Sequence, residues 1–68
     1  MSDLRNRLKE HRSARNLTQA ALAEKVDVSR KTINTVENGV FIPSTLLSLR
    51  LARALEVTVE NLFYLSDQ

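Results

Sequence analysis

The sequence predicts an all-α fold, a compact bundle of five short helices in a single domain spanning residues 1–68. Three observations carry that prediction. Apolar residues recur at helical spacing rather than alternating, as in Leu22-Ala23-Val26, Ile33-Val36 and Leu47-Leu51-Leu55. A hydroxyl residue stands before each of four such segments, at Thr18, Ser29, Ser44 and Thr58. There its side-chain oxygen can accept from an otherwise unpaired backbone N–H. Stop signals follow at Asn16 and at Asn38-Gly39, residue types that suit the left-handed backbone of a helix end.

Taken in order, the first helix is expected to start at a Ser2/Asp3 cap and run to about Arg15. Leu4, Leu8, His11 and Arg12 would lie along one of its sides. Leu17 is expected to be buried, and Gln19 opens the second helix behind Thr18. Asp27 and Val28 break that helix, and Ser29 caps the third, whose inward face is Ile33 and Val36. Val40, Phe41 and Ile42 form an apolar loop from which Phe41 is expected to fold back onto the core, since loops otherwise run over the surface. Ser44 caps a fourth helix reaching about Glu56, with Leu47, Ser48, Leu51, Ala52 and Leu55 inward. Leu46 and Leu49 fall on its outer side with Arg50 and Arg53. Val57 docks, Thr58 caps a last short helix, and Glu60 complements the positive end of that helix. The tail Leu62-Phe63-Tyr64-Leu65 is more apolar than one helical turn can bury locally.

The stretch from Thr18 to Gly39, TQAALAEKVDVSRKTINTVENG, holds the chain's most specific signal. A small residue at Ala23 lets two helices cross closely, Val28 can plug the wedge between them, and Ile33 and Val36 close it from the other side. That is helix-turn-helix geometry, in which the second helix enters the DNA major groove. The stretch resembles the Cro/repressor (XRE) helix-turn-helix family of phage and bacterial transcription regulators, with the motif itself at about 18–38. With the flanking helices, the resemblance covers about residues 3 to 65 and implies a lambda-repressor-like DNA-binding domain. One departure stands out: Asp27 occupies a position where the family usually has glycine. The turn needs a positive φ there, and Asp is among the few substitutes that tolerate it, at some strain.

Glu37 falls on the inward side of the third helix beside Ile33 and Val36, where a lone carboxylate would be costly. It needs a cation, and Arg12 is the candidate. The resemblance implies the same pairing, an ion pair joining the first helix to the recognition helix. The outward face holds Lys31, Asn34, Thr35 and Asn38, with Arg30 and Thr32 at its start and edge. Arg and Lys donate to guanine, Asn pairs with adenine, and Thr offers a methyl to thymine. By the resemblance, the base-reading positions are Arg30, Lys31, Thr32 and Thr35. Gln19 matches a phosphate-contacting glutamine and Asn38 a further backbone contact; Asn34 is assigned to the DNA backbone with them. Related repressors form their dimer contact at the chain's end, which carries over to Leu62, Phe63 and Tyr64. The apolar loop lacks the basic or polar residues with which family members touch phosphate.

Composition supports this reading and excludes others. Residues 1–40 hold eight Lys/Arg against five acidic side chains, a net +3, whereas the remainder holds two against three, a net −1. One basic half and one slightly acidic half suit a protein that presents one face to phosphates. There is no cysteine, one histidine and one glycine. Thiolate metal sites, disulfides, a phosphate-cradling glycine loop and a His-based catalytic constellation are therefore all missing. The expectation is a cytoplasmic, non-enzymatic homodimer that binds double-stranded DNA, without cofactor, metal, membrane or evident small-molecule ligand. The alternative is an antitoxin or controller-type module whose main partner is another protein.

Overall fold

The computed structural model describes residues 3–66. In chain order the elements are β1 (Leu4–Asn6), α1 (Leu8–Ala14), α2 (Gln19–Lys25), α3 (Arg30–Glu37), α4 (Thr45–Leu55), α5 (Val59–Leu62) and β2 (Phe63–Leu65). The five expected helices are present, and a two-stranded sheet is added to them. β1 and β2 run antiparallel, pairing Leu4 with Leu65, Arg5 with Tyr64 and Asn6 with Phe63.

The sheet corrects the expected first helix, which begins at Leu8 rather than at a Ser2/Asp3 cap. Ser2 lies outside the described residues. Asp3 exchanges two hydrogen bonds with Ser66: its carbonyl accepts from the Ser66 backbone N–H at 2.8 Å, and its own N–H donates to the Ser66 side-chain Oγ at 3.0 Å. Leu4 is thus a strand residue and not part of a helical stripe. The physical reason is twofold. Asn6 Oδ1 accepts from Leu8 N–H at 3.0 Å, a local turn that breaks the backbone before the helix starts. The tail Phe63-Tyr64-Leu65 favours strand, and β1 gives it the partner a single helical turn could not.

The other helix starts follow the sequence closely. Thr18, Ser29, Ser44 and Thr58 each adopt extended backbone and accept from the N–H three residues on, at Ala21, Thr32, Leu47 and Asn61. Asn61 returns a bond from its side chain to Thr58 N–H at 3.1 Å, completing a capping box. Four helices end alike, with a left-handed residue at Asn16, Asp27, Gly39 and Glu56. In each case the following N–H reaches back to a carbonyl five residues earlier: Leu17 to Arg12, Val28 to Ala23, Val40 to Thr35 and Val57 to Ala52. This closure satisfies carbonyls that a helix end otherwise leaves unpaired.

The core is one cluster: Leu8, Leu22, Ala23, Val26, Ile33, Val36, Leu47, Leu51, Ala52, Leu55 and Leu62, with Leu17, Val28, Val57 and Phe63 packed on its edge. Each fully buried leucine or isoleucine contributes roughly 1.5–3 kcal/mol by removal from water. Leu62 therefore closes the core and offers no side chain to a dimer contact, which corrects its expected role. Phe41 is a second correction, because it stays about half exposed between the more exposed Val40 and Ile42. The N–H groups of Val40 and Phe41 both donate to Thr35 O, which holds the loop against the end of α3. Pro43 is the residue this segment buries in its place.

Candidate nucleic-acid interface

α2 and α3 form the expected helix-turn-helix. Ala23 is almost wholly buried, and Val28 packs against the core from the turn. Asp27 takes φ 60°, the conformation for which glycine would serve without cost. With Ile33 and Val36 inward, α3 leaves Arg30, Lys31, Asn34 and Asn38 exposed.

A buried ion pair sets the position of α3. Arg12 Nε donates to Glu37 Oε2 at 2.6 Å and Nη2 to Oε1 at 3.2 Å, a bidentate fork. The side chains keep only 12% and 3% of their surface exposed. The hydrogen bond to Glu37 raises the guanidinium's pKa further, outweighing desolvation, so the cation persists throughout the accessible pH range. Arg12 Nη1 also donates to Leu17 O at 2.8 Å, tying the α1–α2 connection into the same network. Gln19 Nε2 donates to Glu37 Oε1 at 3.0 Å. The start of α2, the middle of α1 and the end of α3 are thus joined at one carboxylate. Sequence reasoning identified the Arg12–Glu37 pair but placed Gln19 on the DNA backbone alone. Its amide nitrogen carries two hydrogens, so one remains for a phosphate after the bond to Glu37.

Asn6 is a functional residue that sequence reasoning missed. Its Nδ2 donates to Val36 O at 2.9 Å while its Oδ1 holds the start of α1, so it pins the sheet to the last turn of α3. An Asn two residues ahead of a helix start was the available signal, hidden by the helical spacing of Leu4 and Leu8.

The assigned base-reading side chains fall into two groups. Arg30 and Lys31 are exposed and with Asn34 line a shallow concavity of ≈ 270 Å³. Thr32 and Thr35 are half-buried. Thr35 Oγ1 lies 3.0 Å from the carbonyls of both Lys31 and Thr32, so its hydroxyl hydrogen is spent within the helix. Its methyl and the lone pairs of its oxygen, which can still accept, are the chemistry left for a base edge. Thr32 Oγ1 sits 3.0 Å from Ser29 Oγ, inside the cap. Asn38 Nδ2 donates to Asn34 Oδ1 at 3.2 Å, leaving further donors and acceptors on both amides. Of the assigned dimer residues, Phe63 and Tyr64 are half-buried, and the Arg7 guanidinium stands 4.2 Å from the Tyr64 ring centroid.

Together, a buried ionic clamp behind a polar recognition helix defines a DNA-binding helix-turn-helix domain. The chain belongs to the helix-turn-helix family (HTH_3), of the XRE type, which residues 8–62 match. It is 41% identical over 64 residues to an uncharacterised HTH-type transcriptional regulator of Methanocaldococcus jannaschii, covering 94% of this chain and 97% of that one. To the uncharacterised HTH-type regulator YgzD of Bacillus subtilis it is 34% identical over 65 residues, covering 96% and 98%. Among solved structures, the restriction-modification controller protein C.AhdI of Aeromonas hydrophila superposes with a TM-score of 0.77 at 34% identity, over 81% of this chain and 83% of that one. The family is one of DNA-binding transcription regulators. Among the described residues, no helix is long and apolar enough to cross a membrane.

Proposed function

We propose that this chain is a homodimeric, sequence-specific repressor that binds double-stranded DNA and reads a palindromic operator through the major groove. The observation that carries this reading is the clamp of Arg12, Glu37 and Gln19 beneath the exposed row Arg30, Lys31, Asn34 and Asn38. A polar face needs no such anchoring merely to be solvated. Groove readout does, because a base-edge hydrogen bond forms only within a few tenths of an ångström. Arg30 and Lys31 would donate to guanine, Thr32 and Thr35 would meet base edges at the helix's flank, and Gln19, Asn34 and Asn38 would hold phosphates. On this reading the protein would act in the cytoplasm, where it would meet its DNA.

One α3 spans only a few base pairs, so two copies reading half-sites one helical turn apart, roughly 34 Å, supply the remaining specificity. Occlusion of a promoter is the simplest regulatory outcome. The test is selection of bound sequences from a random duplex pool at near-physiological salt. Enrichment of a palindrome with that half-site spacing is expected. A folded protein that enriches no motif would sink the reading. The second reading, a controller or antitoxin module working chiefly through a protein partner, is favoured by the exposed apolar loop at Val40–Ile42. DNA binding weakens steeply with salt and an apolar protein contact does not, so a salt titration separates the two.

A further inference from the structure

The sheet that joins the two ends of the chain has one side turned inward and one turned to solvent. Leu4 and Asn6 are half-buried, and the Asn6 amide reaches Val36 O. Arg5, between them on β1, is exposed and lies directly across from Tyr64 on β2. Residues opposed in a two-stranded pair project from the same face, so Arg5 and Tyr64 stand side by side. The Arg7 guanidinium packs 4.2 Å from the centroid of the Tyr64 ring, a cation–π contact that holds the ring in place. The outer face of the sheet is thus an aromatic ring with two arginines beside it.

Position gives this face its meaning. Arg5 and Tyr64 line a notch of ≈ 550 Å³ whose other wall is Glu37, Asn38 and Gly39, the end of the recognition helix and its closing turn. The Glu37 carboxylate is already held by Arg12 and Gln19, and Asp3, the other acid of the notch, faces a more basic strand. The ion pairs among the described residues are Arg12–Glu37 and Arg15–Glu56, so no described acid neutralises Arg5 or Arg7. Charge on an exposed strand can serve simply to block edge pairing. That role would not require the strand to share a notch with the recognition helix.

We propose that the outer face of this sheet is a second point of DNA contact, where Arg5 and the Tyr64 hydroxyl hold a backbone phosphate beside the one assigned to Asn38. The inference rests on the DNA-reading role above and extends it from α3 to the paired ends of the chain. A guanidinium offers a phosphate two parallel N–H donors, and the phenol adds a third. Arg7 is a positioning residue that acts through the Tyr64 ring. Tyr64 is thereby assigned to DNA and not to the dimer contact expected at the chain's end. A phosphate contact reads no bases but fixes register. Here it would limit how far α3 rolls in the groove, because Asn6 fastens the same strand to the last turn of that helix.

Fluorescence anisotropy with the full chain tests this, on the duplex enriched from the random pool and on a scrambled duplex of equal length, across about 50–200 mM salt. Circular dichroism and urea unfolding verify that each variant folds as wild type does. Arg5→Ala is expected to weaken binding to both duplexes by roughly 5–10-fold and to lower the slope of log Kd against log salt by about one. Arg5→Lys should restore the slope and most of the affinity, since a cation still meets the phosphate. Tyr64→Phe keeps the ring under Arg7 and should cost roughly 3–10-fold with the slope unchanged. Arg53→Ala, the same loss of charge on α4, should leave the slope as it is. A folded Arg5→Ala protein with wild-type affinity and slope would overturn the contact while the regulator reading stood. A loss confined to the enriched duplex, or one without a change of slope, would overturn it too, and so would an equal fall in slope for Arg53→Ala. A wild-type protein that enriches no duplex and binds none would end both readings.

Discussion

The recognition helix is bounded by two connections built on the same closure, and they end in opposite surroundings. Before it, α2 closes through left-handed Asp27, and the next residue, Val28, turns inward against the core. After it, α3 closes through left-handed Gly39, and the next residue, Val40, stands 77% exposed. The backbone bonds are alike: Val28 N–H to Ala23 O at 3.0 Å and Val40 N–H to Thr35 O at 2.9 Å. A shared helix-end motif therefore fixes the path of the backbone without fixing burial. What differs is the neighbour. Val28 meets the crossing of α2 and α3, whereas Val40 follows a helix whose last inward contact has already been made at Val36 and Glu37.

The largest break in this comparison comes from the clamp that holds α3 between its two connections. Glu37→Ala leaves the Arg12 cation largely buried and unpaired, and ~3–5 kcal/mol of stability should be lost in urea unfolding. Arg12→Ala should cost a similar amount, with the double variant far from additive. A loss below ~1 kcal/mol would mean that the pair does not set the helix.

The next test addresses the two valines directly. Val28→Ala should cost about 1–2 kcal/mol, as partial removal of a packed side chain does. Val40→Ala should stay within about 0.5 kcal/mol, in keeping with an exposed site. Equal losses by thermal or chemical unfolding would contradict the difference in burial.

The smallest effects concern the left-handed residues themselves. Gly39→Ala meets no atom within 4 Å, so its cost is backbone strain alone, about 1 kcal/mol. Asp27→Gly removes strain at φ 60° but frees the unfolded chain, and a gain of up to about 1 kcal/mol is expected. Opposite signs at the two sites, read as shifts in urea midpoint, would sharpen the equivalence of the two closures.

The residues show why some of this was legible in the sequence. Thr18, Ser29, Ser44 and Thr58 announced their helices because a cap acts on an N–H three residues away. Asn16 and Asp27 were readable as left-handed because few side chains tolerate that backbone. The Arg12–Glu37 pair followed from the cost of a buried carboxylate. Glu56 gave no such signal. Its left-handed backbone is held by context, with Arg15 Nε donating to Leu55 O at 2.9 Å and Arg15 Nη1 3.2 Å from the Glu56 carboxylate. The sheet escaped for a different reason. Three-residue strands show almost no alternation, and their pairing joins residues some sixty positions apart. Asn6, whose two bonds depend on that pairing, was lost with it.

That pairing makes the described chain nearly a closed ring. Asp3 and Ser66 are hydrogen-bonded neighbours, so the two segments most prone to fray guard each other. Through Asn6, the seam of the ring reaches the last turn of the recognition helix. Loosening either end would therefore be felt at α3, although neither end is near it in sequence. A short peptide joining Asp3 to Ser66 would cross almost no distance. It would remove part of the unfolded chain's freedom while leaving the folded backbone in place.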